Sequence, residues 1–431
     1  MHTGQEDSQG EAKRSSFFPS LRRVTSSGRF IPEIDGLRFV AIATVVIFHL
    51  VVGLAAKSPS NFTIPQGNVF TQIALTGFHG VELFFIISGF ILGLPFASHY
   101  ILGKKKASLG QYFLRRLTRL EPPYIICMIG LFVLLVSVRS RSPQELISHL
   151  AASLAYLHNA FFGTESLINN VTWSLEIEVQ FYLLVPILSR LFAIKNSLLR
   201  RSVILFFCVS SILGGWLYIL PGGWLHLTIL EYLHFFLIGF FLADLYLTAW
   251  KQKPITNTRW DLVAVIGWPL LFFIWVTFPD RISIVSTGRE HFIPVFVFPF
   301  LALVLYVAAF KGRITRELFV RPWLTSIGGM CYTIYLFHNP FFGFFFDYTK
   351  EIAPSSLYLI NLGIQSILVI PCLLLVSTIY FLIIERPCMQ KDWPMRLGKR
   401  TLELWSEAGE YGANPRKLLQ LFKGRHGSAN E

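Results

Sequence analysis

Ten apolar stretches, near residues 36–56, 73–97, 121–138, 174–193, 202–220, 227–248, 261–278, 293–310, 324–346 and 357–384, divide this chain, each long enough or nearly so to cross a bilayer. Charged residues make up only 15% of the sequence, against about 25% in soluble domains, so the pattern is not that of a soluble core. The expected fold is an all-α polytopic membrane protein with about ten transmembrane helices. An even number of spans places both termini on one side.

The basic residues test that topology independently. Of 38 Lys and Arg, 31 fall before the first stretch, after the last, or in alternate loops, counting Arg190 at the end of the fourth stretch with the loop that follows it; six fall in the remaining loops, and Arg38 lies inside the first stretch. Such a bias is the positive-inside signature, so both termini are expected to be cytoplasmic in a multi-pass protein of the cell's inner (plasma) membrane. It also explains the net charge of +13 without a nucleic-acid partner, because the basic residues belong to loops that meet anionic lipid or an anionic cytoplasmic ligand.

Three regions follow from composition. Residues 1–30 are polar and Ser-rich with no apolar h-region, and read as a disordered cytoplasmic leader and not a cleaved signal peptide. Residues 31–387 form one transmembrane domain. Residues 388–431 contain PRKLLQLFKGR and read as a basic amphipathic cytoplasmic tail expected to lie on the inner leaflet. The longest outward segment, Arg139 to Trp173, is apolar but interrupted by His149, His158 and Asn159, and is expected to be interfacial or re-entrant. The five cysteines are scattered singly, so neither a disulfide frame nor a metal site is expected.

Ionisable residues inside these stretches point to a site, because a charge in the hydrocarbon region is costly and usually faces an interior path. The first stretch, IDGLRFVAIATVVIFHL, holds Arg38 and His49. Eleven residues are about three turns, so both share one face, roughly 16 Å apart along the axis. Helix-end anchoring by Arg38 and a helix–helix hydrogen bond from His49 account for the pair equally well. The second stretch, GVELFFIISGFILG, carries Glu82 and the small pair Ser88-Gly89. Ahead of the third, YFLRRLTRLEPPY carries Arg115, Arg116 and Arg119, of which the last two project side by side as a fork suited to phosphates. The fourth begins WSLEIEVQFYLLVP, with Trp173, Glu176 and Glu178; two carboxylates two residues apart point to nearly opposite sides, so one faces a cavity and the other the interface. CYTIYLFH sets Tyr332, Tyr335 and His338 along one stripe, and IIERP closes the last stretch with Glu385 and Arg386.

Taken in order, EIDGLRFVAIATVVIFH, GVELFFIISGF, RRLTRLEPPY, WSLEIEVQFYLL, CYTIYLFH and IERP resemble the membrane-bound acyltransferase 3 family over about residues 30 to 390. The resemblance implies an integral membrane O-acyltransferase that moves an acyl group, usually acetyl, from acyl-CoA to a hydroxyl of a carbohydrate, cell-surface glycan or lipid-linked sugar. It makes acyl-CoA (acetyl-CoA) a co-substrate, with no tightly bound cofactor. It also implies that His49 is the essential histidine, Arg38 its helix partner, and Arg116 and Arg119 the donor-binding RxxR element. The sequence departs from the family's pattern at Glu82, where aspartate is common, and at Glu176, Val179 and Cys331, none of which touches the Arg and His core.

A mechanism is then expected in which His49 acts as base, Arg38, Arg116 and Arg119 hold the donor's phosphates with Arg115 beside them as a substrate-binding residue, and Glu178 orients His49 or favours its protonated form as a third member. Glu82, Trp173, Tyr332, Tyr335 and His338 complete the substrate-binding set. Competing readings are O-acylation of a small secondary metabolite such as a macrolide, and a transporter in which the buried charges form a relay.

Overall fold

The computed structural model describes Arg23 and residues 30–65, 67–218, 227–277, 292–390 and 393–395. The 1–30 leader therefore lies outside the described residues except at Arg23 and Phe30, as does the 388–431 tail beyond its first few residues. Among the described residues there is no strand.

The chain opens with α1 (Pro32–Lys57), started by a proline at its first position, where the missing N–H costs nothing, and by Glu33 and Asp35 against the positive helix end. Then come α2 (Val69–Leu75), α3 (Gly80–Leu102), α4 (Leu109–Ser137), α5 (Pro143–Leu154), α6 (His158–Phe162) and α7 (Trp173–Leu188). After these run α8 (Ser197–Tyr218), α9 (Ile229–Thr248), α10 (Arg259–Thr277), α11 (Phe292–Lys311), α12 (Arg313–Phe319), α13 (Pro322–Gly329), α14 (Cys331–Thr349) and α15 (Tyr358–Tyr380). Among the described residues eight helices are long and apolar enough to cross a membrane, and a ninth is added if α11 and α12, bent by 88°, count as one span.

Two of the ten expected spans thus take a different form. The stretch near 293–310 is α11, which turns sharply into α12. The stretch near 324–346 is not one helix: it breaks at Met330, whose N–H reaches the carbonyls of Ser326 and Ile327 and closes α13 before α14 starts. Gly328 packs against the Asp35 carbonyl of α1 so closely that a Cβ there would collide with it. The same device locks α3 to α9, where Gly89 and Gly239 bring two backbones together at Phe236 and Ile86. The Arg139 to Trp173 segment folds as α5 and α6, of 12 and five residues, too short to cross.

Side-chain contacts define two ends of the bundle. At one, Asp347 near the end of α14 pairs with Lys57 at the end of α1 (2.7 Å) and with Arg139 just past α4. Gln365, early in α15, donates to the Thr349 carbonyl at the same end (2.6 Å). Helices α1, α4 and α14 therefore run in one direction and α15 returns. Their other ends carry Arg38, Arg116, Cys331 and Glu385, which meet around a cavity.

Candidate active site

The cavity, of about 110 Å³, is walled by helices that each contribute a polar group. From α1 comes Arg38, whose Nη1 donates to Asp35 Oδ1 at 2.5 Å, one turn earlier. α4 supplies Arg116 and Arg119, a turn apart on the inward side, while Arg115 is exposed and does not reach the cavity. The Arg116 guanidinium lies 5.9 Å and 6.0 Å from the Tyr112 and Tyr182 ring centres. From α3 and α7 come Ser88 and Glu178, joined by a hydrogen bond of 2.7 Å from the hydroxyl to Oε1. α14 adds Cys331, Tyr332 and Tyr335. Glu385, in a π-helical turn that follows α15, closes the wall and accepts from Thr333 at 2.5 Å. A second cavity of about 420 Å³ adjoins the first, sharing Arg116, Leu120, Leu175, Glu178, Tyr182 and Tyr332, and runs out between α4 and α7 past apolar side chains.

His49 stands behind this cavity. Tyr335 is held by Ser174 and the Val171 carbonyl at 2.7 and 2.8 Å; its ring lies 5.5 Å from His338, and His338 lies 4.9 Å from His49. His338 is fully buried, and its Nδ1 faces the carbonyls of Tyr335 (2.8 Å) and Ile334 (3.2 Å). Carbonyls only accept, so Nδ1 carries the hydrogen. Nε2 then presents a lone pair, and it has no protein partner.

Other expected contacts are not made. The expected contact of Glu178 with His49 is absent among the described residues: the Glu178 carboxylate accepts from Ser88, and the rings beside His49 are Phe48 and His338. Glu82 meets His79 Nδ1 at 2.5 Å, in a buried pair stacked on Trp275, and does not line the cavity. Trp173 packs beside Tyr232, with its carbonyl taking the Asn159 amide (3.0 Å). The two carboxylates of WSLEIE do diverge, but Glu176 is buried and not interfacial: it accepts the backbone N–H groups of His158 and Asn159 at 3.2 and 2.8 Å, tying down α6. Near Pro143–Phe162, His149 Nδ1 meets His158 Nε2 at 2.7 Å. Burial, then the neighbouring His149, holds the His158 pKa below its ordinary value.

Sequence reasoning left out Arg23, Ser88, Cys331 and Glu385 as site residues. Ser88, Cys331 and Glu385 lie in motifs quoted above, but nothing in their spacing shows that three distant helices turn them to one point. Arg23 carries no sequence signal at all.

A helical membrane bundle with an arginine-lined cavity and, beyond it, a half-buried His49 beside the fully buried His338 defines a class, and the family comparison agrees. The chain matches the family described as "Acyltransferase domain" over residues 31–386, and it belongs to that family. Among curated proteins it is similar to the O-acetyltransferase OatA of Staphylococcus aureus strain NCTC 8325, at 24% identity over 391 residues, covering 85% of this chain and 58% of that one. A putative O-acetyltransferase of S. aureus strain COL is 24% identical over 79% of the chain and 55% of its own length. The peptidoglycan O-acetyltransferase OatA of Listeria monocytogenes is 28% identical over 43% of the chain and 29% of its own length. The chain spans a little over half the length of the S. aureus relatives it matches. No solved structure matches it.

Proposed function

We propose that this protein is an integral membrane O-acyltransferase that moves an acyl group, most simply acetyl, from acyl-CoA on the cytoplasmic side to a hydroxyl of a cell-surface carbohydrate. The observation that carries this reading is the meeting of Arg38, Arg116 and Arg119 in one cavity whose far wall, through Tyr335 and His338, leads to His49. Guanidiniums bind phosphates as planar forks, so the arginine end receives the donor's nucleotide and the pantetheine arm runs inward. The roughly 16 Å rise from Arg38 to His49 suits that extended arm.

In the reaction His49 takes the proton of the acceptor hydroxyl as its oxygen attacks the thioester carbonyl. The tetrahedral adduct collapses, the C–S bond breaks, and the leaving thiolate takes the proton back from the imidazolium, releasing the ester and free CoA. General-base help of this kind is worth about 10²–10⁴-fold. The carbohydrate acceptor is inferred from the peptidoglycan O-acetyltransferase of Listeria monocytogenes, and orientation in the plasma membrane from the charge bias.

The test is to purify wild type and His49→Ala in lipid nanodiscs and follow radiolabelled acetyl from acetyl-CoA into glycan acceptors, while comparing surface glycans and small-molecule extracts by mass spectrometry with and without the gene. Wild type should transfer and His49→Ala should not, at equal folding. Full activity of a well-folded His49→Ala removes the histidine from the chemistry, and acetyl found only on small molecules moves the acceptor class.

A further inference from the structure

One guanidinium in the cavity wall belongs to no transmembrane helix. Arg23 precedes α1 in the segment read as a leader, yet it lines the same cavity as Arg38, Arg116 and Arg119. Its Nε is buried without a protein hydrogen-bond partner, and so are the Nε atoms of Arg116 and Arg119. Among the described residues, Arg38 alone of the four is held in a carboxylate ion pair, to Asp35. Two glutamates line the cavity, but Glu178 accepts from Ser88 and Glu385 from Thr333. Burial, followed by the nearby Arg119 and Arg38 charges, holds the Arg23 pKa well below its ordinary value. Arginine keeps its proton in proteins, so that mutual repulsion persists until an anion enters.

We propose that Arg23 is a donor-binding residue, which adds a guanidinium from outside the membrane bundle to the Arg38, Arg116 and Arg119 cluster so that together they take the polyphosphate end of a nucleotide thioester. This rests on the donor reading above. A single carboxylate or monoanion leaves most of these donors unpaired, whereas the diphosphate and 3′-phosphate of a CoA supply enough oxygens for all of them. Arg23 lies in none of the described helices, and thermal unfolding reads whether its replacement disturbs the bundle.

The experiment measures CoA and pantetheine affinities by calorimetry on the full-length protein in nanodiscs, for wild type, Arg23→Gln, Arg23→Lys and Arg119→Ala, with thermal unfolding of each as a fold control. Arg23→Gln should weaken CoA by about tenfold, the loss of one charge-assisted hydrogen bond, and leave pantetheine unchanged; Arg23→Lys should fall between, with charge but no fork. Arg23→Gln that binds CoA as tightly as wild type, while Arg119→Ala does not, overturns the Arg23 assignment and leaves the donor site standing. Equal weakening of CoA and pantetheine also overturns it, since no phosphate is then involved. A wild type that binds no CoA overturns the donor reading itself, and Arg23's role with it.

Discussion

His338 donates from Nδ1 to two carbonyl oxygens, and that fixes its bare Nε2 on the side of the ring away from the backbone. With His49 at 4.9 Å between ring centres, the lone pair can take a hydrogen bond from His49 and hold its ring for proton transfer. Asparagine mimics the Nδ1 position and glutamine the Nε2 position, so the two variants separate packing from chemistry. His338→Asn should keep a near wild-type melting temperature but lose on the order of 10²-fold in transfer rate, with His338→Gln retaining more of it. Wild-type turnover in a folded His338→Asn would make Nε2 a bystander. Arg119→Ala should weaken acyl-CoA binding by about 1.5–3 kcal/mol, with the rate partly recovering at high donor, whereas His49→Ala should bind donor normally and show no recovery. Donor titrations of both variants check this. At this scale the sequence was a good guide where a residue stood out against its helix: Arg38, Arg116, Arg119, Glu178, Tyr332 and Tyr335 all reach the cavity. It was a poor guide to pairing, because Glu82's partner is His79 three residues away and Glu178's is Ser88 ninety residues away, and a lone motif does not reveal either.

Short elements position these groups. α13 is wedged under the start of α1 by Gly328, so the Asp35–Arg38 pair rests on a contact that only glycine permits. Gly328→Val should cost at least about 1–3 kcal/mol and reduce donor affinity along with stability, read by thermal unfolding and CoA binding on the same samples. An unchanged melting temperature would show that α13 moves freely. The break at Met330 was not legible from hydropathy because α13 and α14 are both apolar, and what separates them is the Gly328-Gly329 pair and tertiary packing. α5 and α6 carry a different liability. The folded His158 pKa lies below the ordinary 6.5, so as pH falls the unfolded ring takes up its proton first. Stability from this group is complete above about 6.5 and declines as pH drops below it, with His149 facing His158 and Glu176 holding the adjacent amides. Hydrogen exchange through α5 and α6, corrected for intrinsic rates, should therefore show faster opening at about pH 5.5 than at about pH 7.5, and His158→Asn should flatten the difference.

For the whole molecule, hydropathy and loop charge together foretold which segments share an end. Lys57 and Arg139, both assigned to the sparsely basic side, share Asp347, while Arg38, Arg116, Arg119 and Glu385, from segments assigned to the basic side, share the cavity. Hydropathy found the spans, but the 88° turn from α11 to α12 and the short α13 escaped it, since both bend within apolar sequence. The proposed donor sets the orientation to be tested: with acyl-CoA supplied from the cytoplasm, the arginine end opens inward. The Lys104–Lys106 loop links the end of α3 to the start of α4, a few turns from Arg116, and is exposed; Lys350 lies beyond Asp347 at the opposite end. The native cysteines are buried or half-buried, which leaves a low background for labelling. In intact cells a membrane-impermeant maleimide should therefore label Lys350→Cys but not Lys105→Cys, and should reach Lys105→Cys only after the membrane is opened. The reverse pattern would place the arginine cavity outside, away from any acyl-CoA, and both the donor assignment and the inward orientation would have to be given up together.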